Sequence, residues 1–254
     1  MAGQTHAVDI GDDDLLPPWT TVFEVARAID ISDWVLVGGL MVQLHARRAS
    51  IPPPRATKDL DLIADVQTNS SSFGSIGTAL TSIGFEVAVP DAHTSPIYRF
   101  TRGEEQVDVM VADHLPSGMK PRLRARPAFA VDGGAQALNR RDTFVITSTS
   151  GTITIGAPDV LGALIGKGAA YIVDQRDRGR HVEDAALLLA SIESVGDLNL
   201  TLNASDRKRL RALAFELDAN LSPAWLSLAQ RDSLRGQRNL ALLTEAAKLT
   251  TRQR

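Results

Sequence analysis

The chain contains no cysteine, and this absence excludes disulfides, thiolate zinc sites and thiol nucleophiles. It also fits a protein of the cytoplasm, where we expect this chain to act. No apolar run approaches the roughly 18 residues that a membrane span needs. The first residues lack a basic segment followed by an apolar stretch, so we expect no secretory signal. These absences favour a cytoplasmic protein that does not enter a membrane.

The sequence also lacks an excess of positive charge. Its 27 lysines and arginines and 30 acidic residues give a formal net charge of −3. Proteins that bind nucleic acid usually carry a basic surface, so any RNA contact here must come from a local patch. The alternating arginines between residues 122 and 126 are the candidate RNA contact: Arg122, Arg124 and Arg126.

Two aspartates spaced by one residue are the most informative feature that is present. Asp59 and Asp61 lie in the segment Asp-Leu-Asp-Leu-Ile, which has strand character. Because strand side chains alternate between faces, both carboxylates point to one side and the leucines to the other. Carboxylate oxygens are ligands that Mg²⁺ accepts while it keeps positions open for phosphate. The spacing therefore suits phosphoryl or nucleotidyl transfer, although exposed strand acids are common on many proteins.

A glycine pair upstream predicts an anion site. The apolar run Trp34–Val37 ends at Gly38-Gly39, and the residues that follow have helical spacing. A strand, a double glycine and a helix place bare backbone N–H groups at a helix N-terminus, where they can bind phosphate. By itself, a glycine pair after a strand more often forms only a turn.

A third acid lies on a later predicted strand. Asp108 alternates with Val107 and Val109, so its carboxylate points away from these valines. It could complete a three-carboxylate metal site with Asp59 and Asp61, or it could be a solvated strand residue. In the metal-site interpretation we expect all three carboxylates to lie exposed in a cleft and to repel one another when no metal is bound.

These motifs in this order resemble the polymerase-β-type nucleotidyltransferase superfamily. Together with Lys167 and the segment Arg180-His-Val-Glu-Asp184, they resemble the AbiEii/MenT group of bacterial toxins. The resemblance implies transfer of a nucleoside monophosphate from a nucleoside triphosphate to RNA, and more narrowly to the tRNA 3′ end. It also implies a cognate antitoxin. One departure is the long interval between Gly39 and Asp59, which contains Ile51-Pro-Pro-Pro54.

The resemblance also implies residue roles. Two Mg²⁺ ions would be held by Asp59, Asp61 and Asp108, and Asp108 could take the proton of the acceptor hydroxyl. Lys167 would act in catalysis by holding the triphosphate. Lys58 differs in parity from the aspartates and should point to the opposite side. The expected nucleotide-binding residues are Gly38, Gly39, Arg55, Thr57, Lys58, Lys167, Arg180 and Asp184.

Lys167 is one of only five lysines, and it lies between two glycines in an apolar helical segment. Gly166 and Gly168 would permit close approach by a ligand or by another backbone. The competing interpretation is a lysine that extends along an amphipathic helix to reach water. Asp184 could orient Lys167 or Arg180, or form a surface ion pair.

The sequence predicts an α/β (α+β) nucleotidyltransferase domain with a small mixed sheet over residues 1–156, and a helical domain over residues 157–254. Residues through Asp14 are polar and acidic and are expected to be a loose lead-in. Pro158 suits the first position of a helix. Further helices are expected at 181–192, 205–217, 222–233 and 236–249.

Two other functions remain open from the sequence alone. One is nucleotidyl transfer to a small acceptor such as an aminoglycoside, which would require an acidic acceptor pocket. The other is a nucleotide-binding module without catalytic activity, in which the metal site no longer turns over.

Overall fold

The computed structural model describes residues 3–13, 16–52, 57–92, 94–218 and 222–249. The chain divides into two compact units: the first is Met1–Met41 with Ala56–Asp159, and the second is Val42–Arg55 with Val160–Arg254. The division at 159 lies close to the expected boundary at 156, but residues 42–55 group with the second unit. One contact within this grouping is the hydrogen bond from the Arg48 guanidinium to the carbonyl oxygen of Ser191 at 3.4 Å.

The described strands all belong to the first unit. They are β1 (Thr5–Asp9), β2 (Trp34–Val37), β3 (Asp59–Ala64), β4 (Glu86–Val87), β5 (Arg99–Arg102), β6 (Glu105–Ala112), β7 (Arg122–Leu123), β8 (Arg126–Pro127), β9 (Ala130–Val131), β10 (Arg141–Ser148) and β11 (Gly151–Pro158). The helices are α1 (Trp19–Ala28), α2 (Gly38–Arg48), α3 (Ser72–Ser82), α4 (Gly134–Asn139), α5 (Val160–Val173), α6 (Arg178–Ser191), α7 (Ala204–Leu217) and α8 (Gln230–Ala246). The expected small mixed sheet followed by helices is confirmed.

The mixed sheet has the order β2-β3-β6-β5-β4, and β9 pairs with β6 beyond this path. Strands β2 and β3 are antiparallel, whereas β3 and β6 are parallel. Strands β5 and β6 form the hairpin that the sequence predicts around Gly103, whose φ is +59°. The two Asp-bearing strands, β3 and β6, are therefore direct neighbours at the centre of the sheet.

One face of this sheet is apolar along its whole length. Leu60 and Leu62 of β3 and Val107 and Val109 of β6 are fully buried, as is Phe100 of β5. Burial of one such side chain stabilises a fold by roughly 1.5–3 kcal/mol. This face fixes the register, because a slip by one residue would exchange these side chains with the aspartates.

The opposite face is polar at one end and apolar at the other. Ile63 and Val35 lie on the side that carries Asp61, and both pack with Ala137 of α4. Helix α4 therefore covers the far end of this face, while the aspartates occupy the end near Gly38. The polar end of this face is therefore the candidate site.

The expected loose lead-in is wrong, because residues 5–9 form β1. This strand pairs in parallel with β10 in a second sheet of order β1-β10-β11. The carboxylate of Asp142 accepts a hydrogen bond from the backbone N–H of Gln4 at 2.7 Å and meets Nε2 of His6 at 2.8 Å. Only Val8 of the strand is buried, so the local sequence carries little apolar signal for a strand whose partner lies far along the chain.

The second unit contains α5 to α8 and a 3₁₀ helix over Pro223–Ser227. Pro158 is not at a helix N1 position, because it ends β11 opposite Arg141, and α5 begins at Val160. Helices were expected at 222–233 and 236–249. The break between them at residues 234–235 is wrong, because α8 runs from Gln230 to Ala246, and the start of the first is the 3₁₀ helix instead. A Cβ at Gly236 would lie 2.6 Å from the Trp225 ring, so this glycine permits close packing.

Helix α6 begins three residues before the expected start at 181, and α7 agrees with the expected 205–217 within one residue. Asn203 and Asp206 form a capping box that defines the start of α7. None of the described helices is long and apolar enough to cross a membrane.

Candidate active site

Three carboxylates lie on one face of the mixed sheet. Asp59 and Asp61 alternate with the buried Leu60 and Leu62, as the spacing predicts. Asp61 is the register partner of Asp108 in the parallel pair of β3 and β6. Directly paired residues of neighbouring strands point to the same face, so Asp108 shares the face of the other two aspartates. The sequence-predicted acids are thus brought to one surface by the strand order.

Asp108 is not the exposed carboxylate that we expected, because Arg99 holds it. The Arg99 guanidinium donates from Nε to Oδ1 and from Nη2 to Oδ2 of Asp108, each at 2.9 Å. Gln106 adds a 3.3 Å hydrogen bond to Oδ2, and Asp108 is only 8% exposed. These hydrogen bonds to Asp108 raise the pKa of the Arg99 guanidinium, and the charge of Asp59 acts in the same direction.

Arg99 was not among the site residues predicted from the sequence, although the sequence contains a signal for it. In a hairpin that turns at Gly103-Glu104, residues equally distant from the turn face each other. Arg99 and Asp108 meet that condition, and they are register partners in β5 and β6. Counting outward from the predicted turn would have placed the arginine beside the third acid.

The carboxylate face fits a divalent cation in part. Asp59 and Asp61 offer the oxygen ligands that Mg²⁺ prefers, on one side of one strand. Both oxygens of Asp108 already accept hydrogen bonds from Arg99. In the part of the chain that the structure describes, no group of three or more His, Cys, Asp or Glu side chains is arranged to hold a metal ion. A three-carboxylate site would therefore share the oxygens of Asp108 with Arg99.

The glycine pair lies directly against the carboxylate strand. Gly38 has φ +71°, and a Cβ there would lie 1.8 Å from Oδ2 of Asp61. A Cβ at Gly39 would lie 2.7 Å from Oγ1 of Thr57. Helix α2 starts at Gly38, so the first backbone N–H groups of this helix lie beside the aspartates. This is the arrangement of strand, glycine pair and helix that the sequence predicts, and its binding of an anion stays a prediction.

The remaining residues near the aspartate strand are only partly described. Arg55 and residues 53–54 of the Ile51-Pro-Pro-Pro54 segment lie outside the described residues. Thr57 is partly buried beside Gly39, whereas Lys58 is exposed. Their assignment to nucleotide binding stays a prediction.

In the second unit, Lys167 forms a buried ion pair. Its Nζ lies 2.7 Å from Oδ2 of Asp184, and the two side chains are 9% and 5% exposed. The interpretation of a lysine that extends to water is therefore wrong. Gly168 serves a close approach between helices, because a Cβ there would lie 2.6 Å from the carbonyl oxygen of Arg209 in α7. Nothing lies within 4 Å of a Cβ at Gly166.

Arg180 does not share the partner of Lys167. Its guanidinium lies 3.2 Å from Asp174, which also contacts Nε2 of His181 at 3.1 Å. Backbone hydrogen bonds from Arg176 and Asp177 lower the pKa of the Asp174 carboxyl. Of the two partners that sequence reasoning offered to Asp184, the structure pairs it with the lysine.

Burial, followed by the charge of Lys167, lowers the pKa of His181. This histidine of α6 is only 6% exposed, contacts Asp174 through Nε2 and experiences the charges of Lys167 and Asp184. It therefore favours its neutral form in the folded protein.

The three arginines that were expected to contact RNA lie on and around a tight turn: Arg122 is in β7, Arg124 is in the turn and Arg126 is in β8. Arg124 and Ala125 both have positive φ, 48° and 63°, and join β7 to β8. Arg122 and Arg124 are exposed, and Arg122 also lines an open cleft of about 710 Å³ beside α3. Arg126 is 8% exposed and donates to the carbonyl oxygen of Ala92, so it is not part of an exposed basic patch.

Comparison with known proteins identifies the family. Residues 22–247 match the model of a family described as nucleotidyl transferase AbiEii toxin, type IV toxin–antitoxin system. The match covers most of the chain, and the chain belongs to this family. It is therefore a nucleotidyltransferase toxin of such a system. No curated protein and no solved structure matches the chain significantly.

Proposed function

We propose that this chain transfers a nucleoside monophosphate from a nucleoside triphosphate to an RNA acceptor, with the tRNA 3′ end as the acceptor site. The observation that carries the proposal is the shared face of Asp59, Asp61 and Asp108 beside the start of α2. This face offers carboxylates for a divalent cation and backbone N–H groups for phosphate within one unit.

The chemistry follows from these groups. The acceptor hydroxyl oxygen forms a bond to the α-phosphorus, and the bond from that phosphorus to the oxygen bridging the α- and β-phosphates breaks. Pyrophosphate leaves with the bonding electrons, and a carboxylate of the shared face accepts the hydroxyl proton. Bound Mg²⁺, held by Asp59 and Asp61 with Asp108, would supply charge neutralisation at the phosphates. Backbone N–H groups at Gly38-Gly39 orient the triphosphate for in-line transfer.

An RNA acceptor is supported by the exposed arginines of the β7–β8 turn. Arg122 and Arg124 are exposed, and Arg122 lines a cleft that also contains the hydroxyl side chains of Ser75 and Thr78. The Arg122 guanidinium donates to the carbonyl oxygen of Ala125, which holds it at the turn. Guanidinium and hydroxyl groups are common contacts to phosphate and sugar. A small cationic acceptor such as an aminoglycoside would instead require an acidic pocket.

We also propose that Lys167 and Arg180 of the second unit bind the nucleotide. Lys167 has a fixed ammonium, because Asp184 holds it at 2.7 Å. A positioned ammonium is suited to the β- or γ-phosphate of a nucleotide. Arg180 is half exposed, with a side chain 48% accessible, and could reach a ligand from the start of α6. We further propose a cognate antitoxin as the partner in the cell.

Incubation with labelled nucleoside triphosphates tests the function. Separate reactions contain total tRNA, an aminoglycoside or buffer alone, each with Mg²⁺ or with a chelator. We expect label on tRNA only, dependent on the metal and absent with Asp59→Asn. Label on the aminoglycoside would support the small acceptor, and nucleotide binding without transfer to either would support the non-catalytic module.

A further inference from the structure

We infer that Arg99 is a positioning residue of the transfer site, whose guanidinium holds Asp108 until a divalent cation displaces it. This inference rests on the proposed metal-dependent function. Arg99 then has a role beyond stabilising the hairpin. Because Arg99 and the metal compete for the same two oxygens of Asp108, Arg99 lowers the affinity of the site for metal.

The contacts of Asp108 are the first support for this competition. Nε and Nη2 of Arg99 donate to Oδ1 and Oδ2 of Asp108, each at 2.9 Å, so both oxygens are engaged. Arg99 and Gln106 together occupy both lone-pair positions of Oδ2, and a cation that approaches Oδ1 meets the positive charge of Arg99, so Arg99 opposes a cation at either oxygen. Gln106 donates to Oδ2 from β6 itself and can keep the carboxylate oriented during the exchange.

Charge explains why a resident guanidinium is needed. Asp59, Asp61 and Asp108 share one face, and like charges at such spacing disfavour one another without a cation. Arg99 offsets the charge of Asp108 and also experiences the charge of Asp59. The guanidinium therefore reduces the repulsion among these carboxylates before metal and nucleotide bind.

Burial shows which partner is free to move. The Asp108 side chain is 11% exposed, whereas that of Arg99 is 41% exposed. The guanidinium can rotate toward water while the carboxylate and strand β6 keep their positions. Because only a side chain has to move, exchange does not require a rearrangement of the sheet.

Arg102 provides a matched control on the same strand. Its guanidinium forms ion pairs with Glu24 and Glu105, each at 2.6 Å, on the opposite side of β5 from Arg99. Like Arg99, it joins elements of the hairpin through charge. It differs in that its ion pairs are with glutamates rather than with Asp108, so its removal tests the purely structural role of a hairpin arginine.

The test measures Mn²⁺ binding without nucleotide, by electron paramagnetic resonance of the free ion and by calorimetry. We expect Arg99→Gln to bind Mn²⁺ at least tenfold more tightly than wild type, on the order of one charged hydrogen bond that no longer competes. Arg99→Lys should be intermediate, since it keeps the charge but not the paired donors. Arg102→Gln should match wild type, and Asp108→Asn combined with Arg99→Gln should abolish the gain.

Thermal unfolding gives a second readout. In chelator, Arg99→Gln and Arg102→Gln should both have lower midpoints than wild type, because each variant lacks an ion pair. Mg²⁺ should restore the midpoint of Arg99→Gln only. Unchanged Mn²⁺ affinity in Arg99→Gln, or a deficit that Mg²⁺ leaves in place, would overturn the inference.

A different result would contradict the proposed function. If Asp59→Asn and Asp61→Asn bind Mn²⁺ as wild type does, the metal site itself is wrong. If these two variants no longer bind Mn²⁺ while Arg99→Gln keeps the wild-type affinity, only the role of Arg99 is wrong.

Discussion

Oδ2 of Asp61 occupies the space in which a side chain of Gly38 would begin, since an added Cβ would lie only 1.8 Å from this oxygen. The contact joins the two motifs that are most visible in the sequence, the glycine pair and the Asp-x-Asp segment. Two physical features favour glycine at position 38. Its φ is +71°, which residues with a side chain rarely adopt, and the carboxylate of Asp61 occupies the place of a Cβ.

We predict that Gly38→Ala displaces Asp61 and reduces transfer activity by about 100-fold or more, the reduction expected when a positioned charge is misplaced. The free energy of unfolding should fall by roughly 1–2 kcal/mol for the backbone and by about 1–3 kcal/mol more for overpacking. Gly103→Ala is the control, because its φ is +59° and nothing lies within 4 Å of its Cβ. This variant should show the backbone cost alone and retain activity; equal activity in both variants would contradict the prediction.

Asparagine variants of Asp59 and Asp108 should lose activity to the same extent but differ in their free energy of unfolding. Asp59→Asn and Asp108→Asn should each abolish transfer, because both carboxylates belong to the face that we propose binds the metal. Asp59→Asn should change the free energy of unfolding by less than about 0.5 kcal/mol. Asp108→Asn should lower it by roughly 1–3 kcal/mol, because the hydrogen bonds from Arg99 no longer have a charged acceptor. Denaturant titration in chelator measures the difference, and equal stability would contradict it.

Lys167→Met should destabilise the protein, contrary to what a lysine extending to water would give. The substitution leaves the carboxylate of Asp184 buried without its ammonium partner, a change that costs about 3–5 kcal/mol in comparable pairs. Combining it with Asp184→Asn should recover part of this stability, as a double-mutant cycle of unfolding free energies would show. Additive effects in the cycle would mean that the two residues act independently. Because the variant is destabilised, its nucleoside triphosphate affinity must be measured where it is folded.

His181 predicts a pH dependence of stability. Burial lowers its pKa below the ordinary 6.5, so the unfolded chain binds this proton more readily than the folded chain. The stability due to the neutral ring is fully present above the unfolded-state pKa and declines as the pH falls through the folded-state pKa. Unfolding free energies of wild type and His181→Gln between about pH 8 and about pH 5 measure this contribution. The wild type should show the larger decrease in stability on acidification. His114→Gln, whose ring is 87% exposed, should follow wild type.

We predict that the exposed arginines of the β7–β8 turn make a salt-dependent contact with RNA. Arg122→Glu with Arg124→Glu should weaken tRNA binding and reduce the slope of log affinity against log salt by roughly 0.7–0.9 for each phosphate that is no longer neutralised. Nucleotide affinity should not change. Lys208→Glu with Arg211→Glu alters the net charge equally on exposed positions of α7 and is the control. Equal weakening in both double variants would indicate a general charge effect. Arg126 should not be included, because it is buried.

The local sequence was sufficient to identify the elements that carry the site. Alternation of leucines with Asp59 and Asp61 predicted the faces of β3, because a two-residue period depends only on neighbouring residues. The valines around Asp108 did the same for β6, and Gly38-Gly39 predicted the start of α2. The strand β1 was missed because its stabilising partners, on β10, lie far along the chain. The continuity of α8 across residues 234–235 was also missed.

The sequence by itself thus determined the family, the order of the acidic motifs and the side of each strand on which they lie. Tertiary structure alone decided how these charges are neutralised. Asp108 is held by Arg99 rather than left exposed, Asp184 is paired with Lys167, and Arg126 is buried while Arg122 is not. The physical reason is that the state of a charge depends on distance and burial, which strand pairing and helix packing set between residues that are not neighbours in the chain.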